Sequence, residues 1–167
     1  MKKGVFIELT SNYISIASEL KGRMTVINPS QEVSYLDTKI TDLNLGVEIK
    51  KKLSESHEIT EDVFMNYWEN RDEFNKKLQL KEEKIIKLYR YKNRKSLYKD
   101  TLFLSIGITN NILFITPLHQ DGLGTFGTVR DKDGKGVEFE YPVNLSDEEL
   151  GKAVKEAFGY CTSIYRK

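Results

Sequence analysis

The amino-acid sequence predicts an α+β fold, in which about four helices pack on a mostly antiparallel sheet of about five to seven strands. Two observations carry this prediction. The first is a series of extended runs in the last third of the chain, joined by short turns: Leu102–Thr109, Ile112–Pro117, Leu123–Arg130 and Val137–Val143. Runs with such short links must pair antiparallel, because a parallel crossover needs about a dozen residues. The second observation is the strongly marked helix that follows these runs.

That C-terminal helix is marked at its start by a capping box. Ser146 is a favourable N-cap residue, and Glu149, three residues later, completes the box. Apolar residues then recur at helical spacing and form one stripe: Leu150, Ala153, Val154, Ala157 and Phe158. Gly159 suits the position just after the helix. We expect the stripe to lie on one face of the sheet.

The N-terminal part of the chain predicts a β-hairpin. Val5–Leu9 and Tyr13–Ser18 read as strands because their apolar residues alternate, and Thr10-Ser11-Asn12 closes the hairpin. Met24–Ile27 is predicted to be a short third strand. Ser30–Lys39 shows no clear period, so we expect a loop there.

A second helix, from Asp42 to Leu53 with Thr41 as its N-cap, resembles the C-terminal helix. Leu45-Gly46 occupies the place that Leu150-Gly151 has in the later helix. An old duplication and a shared packing need both explain this likeness. We favour the packing need, since a glycine one turn into a helix permits close approach to a sheet.

The middle of the chain predicts two further helices. Thr60 is a suitable N-cap, and the helix that follows carries an apolar face: Val63, Phe64, Tyr67 and Trp68. A break is expected near Asn70. The stretch from Lys81 to about Tyr91 predicts another helix, with Ile85, Ile86 and Tyr89 facing inward.

The composition is that of a soluble globular protein. The 167 residues predict one domain spanning residues 1–167, and the 26 basic and 25 acidic residues nearly cancel, so no strong field points to nucleic acid or membrane. Cys161 is the single cysteine, which excludes an intrachain disulfide and fits a reducing compartment. We find no membrane-spanning segment or signal peptide in the sequence, so we expect a cytoplasmic protein.

Several motifs suggest chemistry but fail in context. Gly122–Gly127 matches the glycine pattern of dinucleotide sites, yet the next predicted helix begins only at Ser146, beyond another strand. Asp131 and Asp133 suggest a calcium loop, but Lys135 and Pro142 stand where oxygen ligands are required. The two histidines, His57 and His119, have no second ligand at metal spacing, and nothing in the sequence activates Cys161. We therefore predict no catalytic residue, no cofactor and no metal, and expect a binding protein rather than an enzyme.

The segment Val143–Phe158, with its core Ser-Asp-Glu-Glu-Leu-Gly-Lys-Ala behind a β-meander, resembles the immunity proteins of bacterial contact-dependent growth inhibition (CDI). The resemblance extends over most of the chain and is looser before residue 101. It implies that the protein binds and neutralises a cognate toxin, the C-terminal domain of a delivered effector. That domain is expected to be a nuclease, bound 1:1 in the cytoplasm by a protein that is a monomer when free. No nucleic acid or membrane partner is expected. Many nuclease inhibitors are strongly acidic, and the net charge of +1 departs from that pattern.

The run Leu123–Arg130 is the predicted docking strand. Its two glycines bring no side chain to pack, so it is the best candidate for an exposed sheet edge that accepts a partner strand. The resemblance supports this mode, because some immunity proteins of this kind take a toxin hairpin onto their sheet. The predicted partner-binding residues are Asp121, Gly124, Phe126, Thr128, Arg130, Asp131 and Asp133.

The rival function is a nucleic-acid-binding module. Residues 71–100, the basic-aromatic region, contain eleven Lys or Arg against five Asp or Glu, interleaved with three tyrosines: Tyr89, Tyr91 and Tyr98. Such a mixture binds single strands through phosphate contacts and stacking. It is also typical of a solvated helix face with half-buried tyrosines, which is the interpretation we favour. An enzyme without a recognisable motif is a third, weaker alternative.

Overall fold

The computed structural model describes residues 2–166. Its helices are α1 (Asp42–Ser54), α2 (Glu61–Glu69), α3 (Arg71–Leu88), α4 (Arg94–Lys99) and α5 (Asp147–Phe158). Its strands are β1 (Lys3–Leu9), β2 (Ile14–Lys21), β3 (Thr25–Ile27), β4 (Ser34–Leu36), β5 (His57–Glu58), β6 (Leu102–Thr109), β7 (Ile112–Gly122), β8 (Thr125–Thr128), β9 (Phe139–Pro142) and β10 (Thr162–Ser163). Helices on a mainly antiparallel sheet confirm the predicted α+β class.

One curled sheet holds all of these strands. Six of them follow the order β10-β7-β6-β1-β2-β3, while β4 and β5 also pair with β2, and β8 and β9 also pair with β7. The pairs are antiparallel except for the short β5–β2 and β10–β7 pairs. The central antiparallel pair β1–β6 joins the N-terminal hairpin to the C-terminal strands.

The predicted hairpins form for local reasons. Thr10 N–H donates to the Tyr13 carbonyl at 2.9 Å and closes the β1–β2 turn. Asn110 and Asn111 adopt φ angles of +52° and +62° between β6 and β7, a conformation that asparagine tolerates better than most residues. The short third strand and both Thr-capped helices also form as predicted.

Three local predictions need correction. The fourth extended run of the C-terminal part pairs as β9 with the start of β7, not with β8, because the long β7 offers its edge to both. The predicted loop 30–39 contains the short strand β4, which pairs with β2. The helix predicted from Lys81 begins at Arg71 as part of α3, and α4 was not predicted.

The apolar face predicted for α2 is mostly exposed. Phe64 is buried, but 48% of Val63 and 40% of Trp68 remain accessible. Helices α2 and α3 therefore do not belong to the main core.

The main core lies between one face of the sheet, here called the core face, and helices α1 and α5. Its strand residues are Val5, Ile7, Ile14, Ile16, Leu104, Ile106, Leu113 and Ile115. The predicted helix stripes complete it with Leu45, Ile49, Leu53, Leu150, Ala153, Val154, Ala157 and Phe158. These side chains pack without solvent exposure above 7%, which accounts for most of the burial that stabilises the fold.

The two Leu-Gly helices use their glycines to approach each other, not the sheet as predicted. A Cβ atom on Gly46 would lie 1.7 Å from the Asp147 carbonyl oxygen, and one on Gly151 would lie 1.8 Å from that of Asp42. The contact is therefore reciprocal. Two ion pairs close it at 2.8 Å each: Lys50–Asp147 and Lys155–Asp42.

This reciprocity extends to the whole sheet. The β1–β2 pair Val5↔Ser18 corresponds to the β6–β7 pair Leu104↔Pro117, after one constant shift along the chain. The same shift relates Ile14, which pairs with β4, to Leu113, which pairs with β9. It also relates Leu20 to His119, and these two residues pair with the parallel strands β5 and β10. The chain thus consists of two similar units, β1-β2-β3-β4-α1-β5 and β6-β7-β8-β9-α5-β10, with α2, α3 and α4 between them. Shared packing explains the two glycines, and the matching strand registers support an old duplication of one unit.

Candidate functional site

Strand β8 lies at a sheet edge, as its glycine content suggested. One side pairs antiparallel with β7, from Leu118↔Thr128 to Gly122↔Thr125. Within residues 2–166, no strand pairs along the other side. Its far end is closed by the bridge Arg130↔Gly136, with backbone hydrogen bonds from Val137 N–H to the Val129 carbonyl and from Asp131 N–H to the Lys135 carbonyl. The open part of the edge is therefore short, running from Thr125 to about Thr128.

The predicted partner-binding residues divide into exposed and packed ones. Gly124 forms the β7–β8 turn with φ of +86°, and Thr128 is exposed on the strand. Phe126 points elsewhere: its ring lies 5.7 Å from that of Phe6 and 4.4 Å from that of Phe103. The structure therefore places Phe126 in an aromatic cluster with residues of β1 and β6, so its side chain is not free to contact a partner strand.

The charged residues of this site also differ in their roles. The Asp131 carboxylate accepts hydrogen bonds from the Asp133 and Lys135 amides, at 2.8 and 2.9 Å, and so shapes the turn. Arg130 donates to the Gly134 carbonyl at 2.8 Å. Asp133 presents an exposed side chain, and Asp121 lies 3.2 Å from His119. Asp121 and Asp133 therefore flank the edge as the two carboxylates that can meet a basic partner.

The basic-aromatic region uses its tyrosines inside the molecule. Tyr89 packs against Tyr13 with ring centroids 5.3 Å apart, and Tyr91 donates to the Asp100 carboxylate at 2.5 Å. Tyr98 donates to Glu82 at 2.9 Å. Rings that are engaged in this way are poorly placed to stack on successive bases, which favours the solvated-face interpretation.

A cavity that the sequence did not predict lies between α3 and the outer face of the sheet, opposite the core face. Its volume is about 670 Å³, and its walls are largely aromatic and aliphatic. The sheet contributes several of the lining residues, among them Phe6, Glu8, Tyr13, Ser15, Tyr35 and Phe103. The cavity adjoins β8, because Phe126 packs on Phe6 and Phe103, and Arg94 of the cavity wall lies 3.7 Å from where a Gly124 Cβ would be.

Glu8 is the distinctive polar group of this cavity. Ser15 donates a hydrogen bond to one of its carboxylate oxygens at 3.3 Å. Burial raises the pKa of Glu8 to about 7, and the Ser15 hydrogen bond only partly opposes this rise. Burial also raises the pKa of Tyr35, to about 12. The sequence held one signal of this cavity, a single glutamate in an otherwise apolar strand. That signal does not indicate which element covers the Glu8 side chain.

The groups considered for catalysis show no activation. Burial raises the pKa of the Cys161 thiol, which disfavours the thiolate, and Cys161 Sγ lies 3.1 Å from the Phe103 carbonyl oxygen. His119 Nδ1 lies 2.7 Å from the Thr162 hydroxyl. Among residues 2–166, no group of three His, Cys, Asp or Glu side chains could hold a metal ion. In the same range, no helix is long and apolar enough to cross a bilayer.

Comparison with known proteins gives consistent matches. The family model of the CDI immunity protein, CdiI, matches residues 3–161. A protein of unknown function from Neisseria meningitidis has the same fold with a TM-score of 0.83, at 17% identity over 96% of both chains. The CdiA-CT/CdiI toxin and immunity complex from Yersinia pseudotuberculosis contains a chain with a TM-score of 0.82, at 18% identity over 97% of this chain and 98% of that one. No curated protein matches the chain in sequence.

Proposed function

Because the chain belongs to the CdiI family of CDI immunity proteins, we propose that it binds and neutralises one cognate toxin domain, the C-terminal part of a CdiA effector. The observation that carries the proposal is the family match over residues 3–161. The similar fold in a toxin and immunity complex supports it. The protein acts in the cytoplasm as a monomer that forms a 1:1 complex, and its toxin is a nuclease.

The toxin docks on the open edge of β8. Three features support this location: the edge lacks a partner strand between Thr125 and Thr128, its glycines let a second backbone approach, and Asp121 and Asp133 flank it. A toxin β-strand hydrogen-bonds to the backbone there, and basic toxin side chains meet the two carboxylates at the rim.

A proline placed on this edge tests the docking mode. Thr128→Pro removes a backbone donor and places a ring on the edge that a partner strand would need. The matched control is Thr25→Pro on β3, the edge strand that holds the corresponding place in the first unit. We expect Thr128→Pro to weaken toxin binding by at least about tenfold and Thr25→Pro to leave it unchanged, as measured by calorimetry with the purified toxin domain.

Folding must be checked in both variants by circular dichroism. If Thr128→Pro is folded and binds toxin as tightly as the parent, the docking site lies elsewhere on the protein. That result would leave the immunity function itself intact, because protection of cells is measured separately.

A further inference from the structure

We propose that the cavity between α3 and the sheet binds an organic cation, a protonated amine on an apolar and preferably aromatic body. The cavity and its side chains alone define this site, and amine binding does not require a toxin docked on β8. A volume of about 670 Å³ with mainly apolar walls and a few convergent polar groups is typical of a small-molecule site.

The charged side chains of the cavity favour a ligand with a positive charge. The charged side chains that line the cavity are Glu8, Lys81, Glu82, Glu83 and Arg94. Both cations are engaged by other acids, Arg94 with Glu82 at 3.0 Å and Lys81 with Glu32 at 3.9 Å. Glu8 has no cationic partner among the described residues and receives one hydrogen bond, from Ser15. A half-buried carboxylate in this state is stabilised by a cation that enters the cavity.

Aromatic rings favour the same class of ligand. Tyr13 and Tyr35 stand edge to face with their centroids 5.4 Å apart, and both line the cavity near Glu8. Phe6 and Phe103 add two more rings, 5.9 Å apart. Ring faces attract ammonium groups and also pack against an aromatic body, so the site can hold both ends of an arylalkylamine.

Helix α3 forms one wall of the cavity, which is open to solvent. None of the residues of this helix is fully buried, although it spans Arg71–Leu88. A ligand can therefore enter from solvent, and a helix held only by half-buried contacts can adjust its position around it.

The test uses 2-phenylethylamine as the probe and 2-phenylethanol as its neutral match. Binding is measured by two-dimensional NMR titration of the native protein, of Glu8→Gln, and of a control, Glu140→Gln, which removes an exposed carboxylate on β9. We expect the amine to bind the native protein and the control saturably, with a Kd on the order of 1 mM. The alcohol should bind about tenfold more weakly, and Glu8→Gln should reduce amine affinity by about tenfold and remove the preference for amine.

Shifted signals should come from Tyr13, Tyr35 and Phe6. Equal affinity of the amine for native protein and Glu8→Gln, with all proteins folded by circular dichroism, would overturn the proposal. So would an absence of saturation up to about 10 mM, since that leaves no site of useful affinity.

A second arm identifies the source of the cation. The cognate toxin domain is added to the protein saturated with the amine. Release of the amine supports a basic toxin side chain as the natural occupant of the cation site, and simultaneous binding supports a free small molecule.

Discussion

The substitution Gly151→Ala should destabilise the protein although alanine is the better helix former. A Cβ on Gly151 would lie 1.8 Å from the Asp42 carbonyl oxygen, whereas ordinary contact begins near 3.4 Å. The obstacle is backbone, so no side-chain rotation relieves it, and α1 and α5 must separate by roughly 1.5 Å.

Two opposing terms set the size of the effect. Replacing glycine by alanine inside a helix gains about 1 kcal/mol from propensity. Separation of the helices strains the Lys155–Asp42 ion pair at 2.8 Å and loosens the packing of Leu150, which is fully buried. Overpacking costs about 1–3 kcal/mol and the loosened packing of Leu150 adds roughly 2 kcal/mol, while the propensity gain offsets about 1 kcal/mol, so we expect a net loss of about 2–4 kcal/mol in the free energy of unfolding.

Urea unfolding followed by circular dichroism measures this loss, provided that the slope m is unchanged. The matched control is Gly107→Ala, where the nearest atom to a new Cβ is the Lys3 carbonyl oxygen at 3.7 Å. We expect the control to change stability by less than about 1 kcal/mol. A Gly151→Ala protein as stable as the parent would refute the close contact between the two helices.

Further predictions concern the core, the cavity and the basic-aromatic region. Leu150→Ala and Phe158→Ala should each cost about 2–5 kcal/mol in unfolding free energy, and unchanged thermal stability in either would contradict their place in the core. Burial raises the pKa of Glu8 from 4.5 for the free side chain to about 7 in the folded protein. As pH rises, the unfolded chain therefore loses this proton before the folded chain does. The stability of the native state falls between about pH 4.5 and about pH 7 as a result. Glu8→Gln should therefore stabilise the protein by up to about 3 kcal/mol at pH 8 and by almost nothing at pH 4, in urea titrations at both values; an equal effect at both would rule out the raised pKa. Oligonucleotide binding should be absent at physiological salt, and submicromolar binding that is lost with Lys92→Ala would instead support the rival function.

Local signals explain which parts of the fold could be predicted from sequence. The capping box of Ser146 and Glu149 forms as expected, with the Glu149 amide 3.1 Å from the Ser146 hydroxyl and the Ser146 amide 2.8 Å from Glu149. Caps, tight turns and apolar periods depend on residues close in sequence, so one chain carries enough information to place them. The apolar periods also predict which residues lie in the core, and the predicted stripe of α5 is buried there.

Features that depend on distant partners could not be predicted. The pairing of β9 with β7 rather than β8 depends on the length of β7, which offers one edge to both strands. The contacts of Gly46 and Gly151 depend on which element lies opposite each glycine; the sequence predicted the sheet, and the structure has the other helix there. Phe126 faces an aromatic cluster because β8 curls over β1 and β6, and no local pattern encodes that curl.

The cavity around Glu8 was missed for a similar reason. A glutamate on an alternating strand reads as solvent-exposed unless something covers that face, and the cover here is α3, which lies far along the chain. For β8, in contrast, the sequence did predict the position of the strand in the sheet. Its glycines signalled an edge, and β8 does lie at one, while the toxin contacts on that edge remain our proposal.

If this protein neutralises a cognate CdiA toxin domain by binding it, as we propose, it must protect cells that produce that toxin. The most direct measurement is the growth of cells that express this toxin domain, taken from the effector encoded beside the immunity gene, with and without this protein. We predict that growth stops with toxin alone and is restored by co-expression, and that purified toxin and this protein elute as a 1:1 complex. Growth arrest that persists while the protein is present, soluble and folded would contradict the claim.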